Sequence, residues 1–294
     1  MTRWFKSWDE LGFQILVNFF LLFVLIMVLV PMWRVVMTSL TPIGYSAESS
    51  FGLWIPPDQW SFEAYGQLLS HPSFVNATLV STIITTAGTA INLLLTVPLA
   101  YVLSVPTLPG RKLFITLILF TWLFNAGLVP TYLVVSKLGL INKLWAVMLP
   151  TAVSVYNTIV MKSFFEGIPE DLKEAARIDG ASDLQVLTRI ILPLSRPILL
   201  TVGLFYAVSH WNEFFAPILY LNDNDLMPLP VLLRNILLGA SSLNEYLEYD
   251  AFSSAPIEAI KAAGVLLTML PMVLLYPWIQ RYFTKGALTG AVKS

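Results

Sequence analysis

The stretch GFQILVNFFLLFVLIMVLVPM, residues 12–32, contains no charged side chain. About 20 such residues in a helix cross the roughly 30 Å of hydrocarbon in a bilayer. Five further segments of this kind follow, at 75–104, 112–135, 143–165, 197–221 and 258–283. The expected fold is therefore all-α, a polytopic membrane protein with six transmembrane helices. Only 12% of the residues are charged, against about 25% in a soluble domain, so water alone would not wet this surface.

Several functional classes drop out at once. The chain has no cysteine and two histidines, His71 and His210, so disulfides, thiolate sites and multi-histidine metal centres are excluded. Its net charge of −1 supplies no basic field for nucleic acid. Arg3 and Lys6 precede the first span as in a signal peptide. The apolar run is too long for an h-region, however, and no small-x-small cleavage site follows, so it reads as an uncleaved anchor.

Three regions are expected: an N-terminal anchor helix with its outer loop at 1–74, a core transmembrane domain at 75–283, and a tail at 284–294. With the N-terminus inside, the inner segments hold Arg3, Lys6, Arg111, Lys112, Lys162, Lys173, Arg177, Arg189, Arg196, Arg281, Lys285 and Lys293. The outer ones hold only Arg34, Lys137, Lys143, Arg234 and Lys261. This asymmetry predicts both termini in the cytoplasm, and it puts the charged loop 166–196 there too. Ser81, Thr85 and Thr89 in the second span form a small polar stripe suited to close helix approach.

The loop is strongly patterned. Pro169 is expected at the helix start, with Glu170 and Asp171 in its first turn, where the helix dipole favours negative charge. Leu172, Ala175 and Ala176 share one face by spacing. Gly180 supplies a left-handed C-cap. Ser182 with Gln185 forms a capping box for a second helix, whose face is Leu184, Leu187, Ile190 and Ile191 and whose end is Pro193. An alanine-faced helix suits a partner's groove, with Glu174, Arg177 and Asp179 available to fix register. The competing reading is an ordinary loop folded against its own membrane domain.

These residues resemble the EAA signature of ABC importer permeases. Glu174, Ala175, Ala176, then Gly180, Ile190, Leu192 and Pro193 stand at that motif's spacing. "FNAGLVPTYLVVSKLGLINKLWAVMLP" and "GLFYAVSHWNEFFAPILYL" look like carbohydrate permeases of the maltose-type class, nearest the branch for complex oligosaccharides. The resemblance implies a type I ABC importer permease fold in a bacterial inner membrane. It also implies a second homologous permease, two copies of a cytoplasmic ATPase, and an extracytoplasmic solute-binding protein that delivers the sugar. Glu174, Ala175, Ala176, Arg177, Asp179 and Gly180 would belong to the ATPase-coupling helix. ATP and Mg would sit on the partner, since this sequence has no P-loop motif; no cofactor or metal is expected on this chain, and it is not itself an enzyme.

Polar and aromatic groups within spans are pathway candidates, because they cost energy unless paired or facing water. They are Trp122 and Asn125, near the potential helix breakers Gly127 and Pro130; Tyr156 and Asn157; and Tyr206, His210, Trp211, Asn212 and Glu213. Tyr206, His210 and Glu213 share a face by spacing. Against this, Trp122 can pack on lipid, Trp211 can sit in an aromatic belt, Asn125 and Asn157 can bridge helices, and His210 with Glu213 can be a structural pair. The partner subunit can also carry most sugar contacts. In the second outer loop, "LPVLLRNILLG" is apolar enough to lie in the interface. Asn244, Glu245, Tyr246, Glu248 and Tyr249 are candidate binding-protein contacts, with a solvated loop as the alternative.

Oligosaccharides from plant, algal or host polysaccharides are the expected cargo; few cations in the spans favour neutral sugar, and alginate or pectin fragments remain open. The runner-up is the same machine with a non-sugar solute. A membrane enzyme would need a converging constellation, for which His210 with Glu213 is the one intramembrane pair. A secondary transporter would show inverted repeats and broken helices in matching halves, and the sequence suggests neither.

Overall fold

The computed structural model describes residues 8–45, 53–238 and 255–291. All regular structure among them is helical. The chain runs α1 (Trp8–Ser39), α2 (Glu63–Ser70), α3 (Pro72–Ser104), α4 (Arg111–Leu123), α5 (Leu128–Lys137), α6 (Trp145–Met148), α7 (Val155–Glu166), α8 (Glu170–Ile178), α9 (Asp183–Leu194), α10 (Arg196–Trp211), α11 (Phe215–Tyr220), α12 (Leu229–Leu238) and α13 (Ile257–Ala291). The last helix continues through residues 284–291, where a tail was expected.

Three helices among the described residues are long and apolar enough to cross a bilayer, within α1, α3 and α13. Counting two sharply bent pairs as spans, α4 with α5 at 110° and α9 with α10 at 85°, raises this to five. The segments expected at 112–135, 143–165 and 197–221 are not continuous helices. The first breaks at 124–127, where Gly127 takes φ +88° and Pro130 falls in the first turn of α5, where its missing N–H costs nothing. The second unwinds over 149–154, where Pro150 cannot continue the hydrogen-bond ladder. The third breaks after Trp211.

The described residues fall into two compact units, those within 1–71 and 235–269, and those within 72–234 and 270–291. In the first, the outer loop folds onto the end of α1. Ser39 Oγ and Tyr65 OH share a hydrogen bond of 2.6 Å, Trp33 Nε1 donates to the Leu53 carbonyl, and Ile55 and Leu68 are buried. In the second, α3 is the central element and packs most extensively against α10 and α7. Within this unit Asn142 takes the left-handed region at φ +60°. Asn142 Oδ1 accepts from the Asn222 and Asp223 amides, and its own N–H donates to the Tyr220 carbonyl.

Candidate coupling surface and transport pathway

The loop 166–196 is a stiff helix–turn–helix built from local bonds. α8 closes in a Schellman motif: the Ala181 amide donates to the Ala176 carbonyl at 2.9 Å and the Gly180 amide to the Arg177 carbonyl at 3.0 Å, a geometry that needs a left-handed residue at Gly180. Gly180 takes φ +84°. Both bonds of the Ser182–Gln185 capping box form. Arg177 bridges Glu170 and Asp183, and so joins the two helices. Among the described residues, Glu174 and Asp179 make no ion pair. At the foot of the loop, Glu166 binds both Arg111 and Lys162, while Arg111 Nε donates to the Leu103 carbonyl of α3.

The faces differ from those expected by spacing. Ala176 turns inward with Lys173, whose methylene stem is buried while its ammonium reaches Glu170 at 2.9 Å. Ala175 stays outside. In α9 the inner positions go to Val186, Leu187 and Ile191, and Leu184 points out. The helix also does not stop at Pro193: a π-turn over Leu187–Ile191 widens the ladder, and the chain stays helical to Leu194. A π-turn adds one residue to the turn and shifts the phase of what flanks it.

The result is an outward apolar tip of Leu172, Ile178 and Leu184, which are 46%, 86% and 69% exposed. The inner face instead enters one continuous core with Val97, Ala100 and Tyr101 of α3, Met161 and Phe165 of α7, and Val202 and Tyr206 of α10. The loop is therefore packed against three helices at once, α3, α7 and α10.

The nine pathway candidates separate by burial. Trp122, Asn125, Tyr156 and Asn212 are exposed, at or beside the three breaks. Asn157, Tyr206, His210 and Trp211 are buried. Glu213 lies past the end of α10, and its Oε1 caps α11 by accepting from the Phe215 and Ala216 amides at 3.0 Å. Consequently it does not share a helical face with His210, and no hydrogen bond or ion pair joins their side chains. Asn212 Nδ2 returns to the Val208 carbonyl, and Asn125 Oδ1 accepts from the Gly127 amide.

Residues outside the expected set complete the interior. Tyr206 OH shares a 2.7 Å hydrogen bond with Thr96 Oγ1 and accepts from the Ser154 amide at 3.0 Å. Asn92 donates to the Thr151 carbonyl, and Ser81 Oγ accepts from the Leu229 amide at 2.7 Å. Where α3 meets His210 the contacting residue is Gly88: a Cβ there would come within 2.6 Å of His210 Nε2. Along this seam Thr85 Oγ1, Thr89 Oγ1, Asn92 Oδ1 and His210 Nε2 are buried without a hydrogen-bond partner. The polar stripe from Ser81 to Thr89 pointed to close helix approach; the glycine inside it carries the approach to His210.

In the segment after α1 an open groove of about 810 Å³ is lined by residues that include Tyr45, Trp60, Phe62, Asp58 and Glu63. Asn244, Glu245, Tyr246, Glu248 and Tyr249 lie outside the described residues.

Comparison with known proteins identifies this architecture. Residues 13–288 match the family of binding-protein-dependent transport system inner membrane components, and the chain belongs to that family. It is 41% identical over 281 residues to the polygalacturonan/rhamnogalacturonan transport system permease protein YtcP of Bacillus subtilis, covering 95% of this chain and 97% of that one. It is 39% identical to Protein LplC of the same organism, over 90% of this chain and 89% of that one. A crystal structure of a bacterial ABC transporter that imports the acidic polysaccharide alginate contains a chain of the same fold. The TM-score is 0.86 at 30% identity, over 95% of this chain and 99% of that one. The protein is thus a non-catalytic permease component of a sugar or oligosaccharide ABC importer in the inner membrane, and a partner hydrolyses the ATP.

Proposed function

We propose that this chain pairs with a second permease and two ATPase copies, crosses the membrane six times with both termini in the cytoplasm, and drives alternating access through the loop 166–196. ATP and Mg are bound by the partner ATPase. The observation that carries the coupling role is the apolar tip on a stiff, charged loop. Leu172, Ile178 and Leu184 are exposed together on a charged loop; an exposed apolar patch rimmed by polar residues suits an interaction site, and a groove in a soluble partner would bury it. Glu174, Ala175, Arg177, Asp179 and Gly180 shape that contact, and Ala176 anchors it from within.

Six crossings follow if each broken segment counts as one span. Non-helical backbone at membrane depth is tolerated only against protein or water. The breaks at 124–127, 149–154 and 212–214 therefore suit a pathway wall, with Trp122, Asn125, Tyr156 and Asn212 as its sugar-facing side chains. Aromatic rings stack on sugar faces and amides bond hydroxyls. The outer groove around Trp60 offers a contact surface for the delivering binding protein. Fragments of an acidic polysaccharide are the preferred cargo, on the strength of the substrates named for YtcP and for the alginate importer, against the neutral preference drawn from the sparse cations. The partner permease then supplies the countercharge.

The test is Ile178→Glu in the co-expressed complex. Burying such a side chain is worth about 1.5–3 kcal/mol, so a charge there should strip the ATPase from the purified permeases. An undiminished yield of ATPase would remove the docking role. Uptake of labelled oligogalacturonate in competition with a neutral oligosaccharide then decides the cargo.

A further inference from the structure

Tyr206 lies in the core that holds the loop 166–196 and is hydrogen-bonded to the unwound stretch 149–154. Its ring is 3% exposed and lies in the apolar core that holds the inner face of the coupling loop. Its hydroxyl leaves that core and accepts from the Ser154 amide at 3.0 Å. Ser154 is the N-cap of α7: its Oγ accepts from the Asn157 amide, and its carbonyl takes the Thr158 hydroxyl at 2.7 Å. It is also the last residue of the unwound stretch 149–154, whose Val153 and neighbouring Tyr156 are exposed. The same hydroxyl bonds Thr96 on α3.

We infer that Tyr206 is a positioning residue that carries movement of the coupling loop to the helix break at 149–154, through its hydrogen bond to the Ser154 amide. This rests on the coupling role proposed for the loop. The physical case is one of stiffness. Close-packed apolar side chains transmit displacement without specifying direction, whereas a buried hydrogen bond has a narrow range of distance and angle and is costly to leave unmade. A displacement that enters through Val186, Leu187 and Ile191 reaches the ring of Tyr206 by contact. The hydroxyl converts it into a pull on one named backbone group at the break. The tyrosine therefore does not contact sugar; it sets where Val153 and Tyr156 stand.

The chain has no cysteine, so one introduced thiol reports on this segment alone. Val153→Cys in the full complex is labelled with a maleimide, with and without a non-hydrolysable ATP analogue, and labelling of this chain is read on a gel. The parent should show at least a five-fold change in rate on adding nucleotide. Tyr206→Phe should reduce the change below two-fold, with ATPase yield and hydrolysis within two-fold of the parent. Thr96→Val loses a comparable buried hydrogen bond yet keeps the bond to Ser154, so it should retain the response. Equal loss in both variants would mean a merely structural role and would overturn the inference. So would a full response in Tyr206→Phe, or a parent with bound ATPase and no nucleotide response. A parent that recovers no ATPase at all sinks the coupling role itself, and Ile178→Glu separates that failure from the others.

Discussion

The coupling loop and the seam between α3 and α10 both set polar side chains among apolar ones, and they satisfy them in opposite ways. In the loop the partners are neighbours in sequence: Ser182 with Gln185, Glu170 with Lys173, Arg177 with Asp183. In the seam they are remote, as in Thr96 with Tyr206, and four buried atoms have none. The loop is a part that forms by itself and is then mounted. The seam is a fit that exists only once the whole unit has assembled, so its polar atoms carry an unrelieved desolvation cost. Local substitutions should therefore damage the loop's shape without unfolding the unit, and seam substitutions should do the reverse.

The largest effect should come from Gly180→Val. A left-handed backbone costs a residue with a Cβ about 1–2 kcal/mol, and a β-branched side chain fares worse. Stimulation of the ATPase by loaded binding protein should fall at least ten-fold, with the thermal midpoint of the permease nearly unchanged. Normal stimulation would mean that the turn angle is irrelevant to coupling. Next, Gly88→Ala forces α3 from His210 and should destabilise the unit by about 1–3 kcal/mol, read as a lower thermal midpoint in detergent. Adding His210→Ala should recover most of the loss, and failure to do so would locate the strain elsewhere. Ser182→Ala removes one cap at about 1 kcal/mol, and should show as faster hydrogen exchange confined to α9. The smallest is Glu166→Gln. Its partners Arg111 and Lys162 are partly solvated, so the change should stay below about 1 kcal/mol and vanish at high salt.

What was readable followed the same division. Gly180, the capping box and the break beside Gly127 are local signals, and each lies where the residues require it. The phase of the loop's faces was not readable: α9 buries Val186, which leaves Leu184 on the opposite side, and a π-turn leaves no residue-type signature. The break at 149–154 interrupts a run that stays apolar, with Pro150 as its one sign. Glu213 looked like the partner of His210 by spacing, but the helix ends between them and the carboxylate caps α11 instead. The seam depended on pairings between residues far apart in sequence, which no periodicity reports; only its small-residue stripe was visible. The buried hydroxyl of Tyr206 shows the same limit, since an aromatic residue in a span reads equally as a sugar platform or as an internal strut.

The π-turn at Leu187–Ile191 also sets an angular register. Each residue advances a helix by about 100°, so the surplus residue there decides the direction in which everything before it aims relative to α10. Deleting Thr188 would leave both caps and every charged residue of the loop in place. It would still rotate Leu184 and Ile178 away from any socket cut for them. If the loop docks an ATPase as proposed, a length change of one within it would act as a change of address.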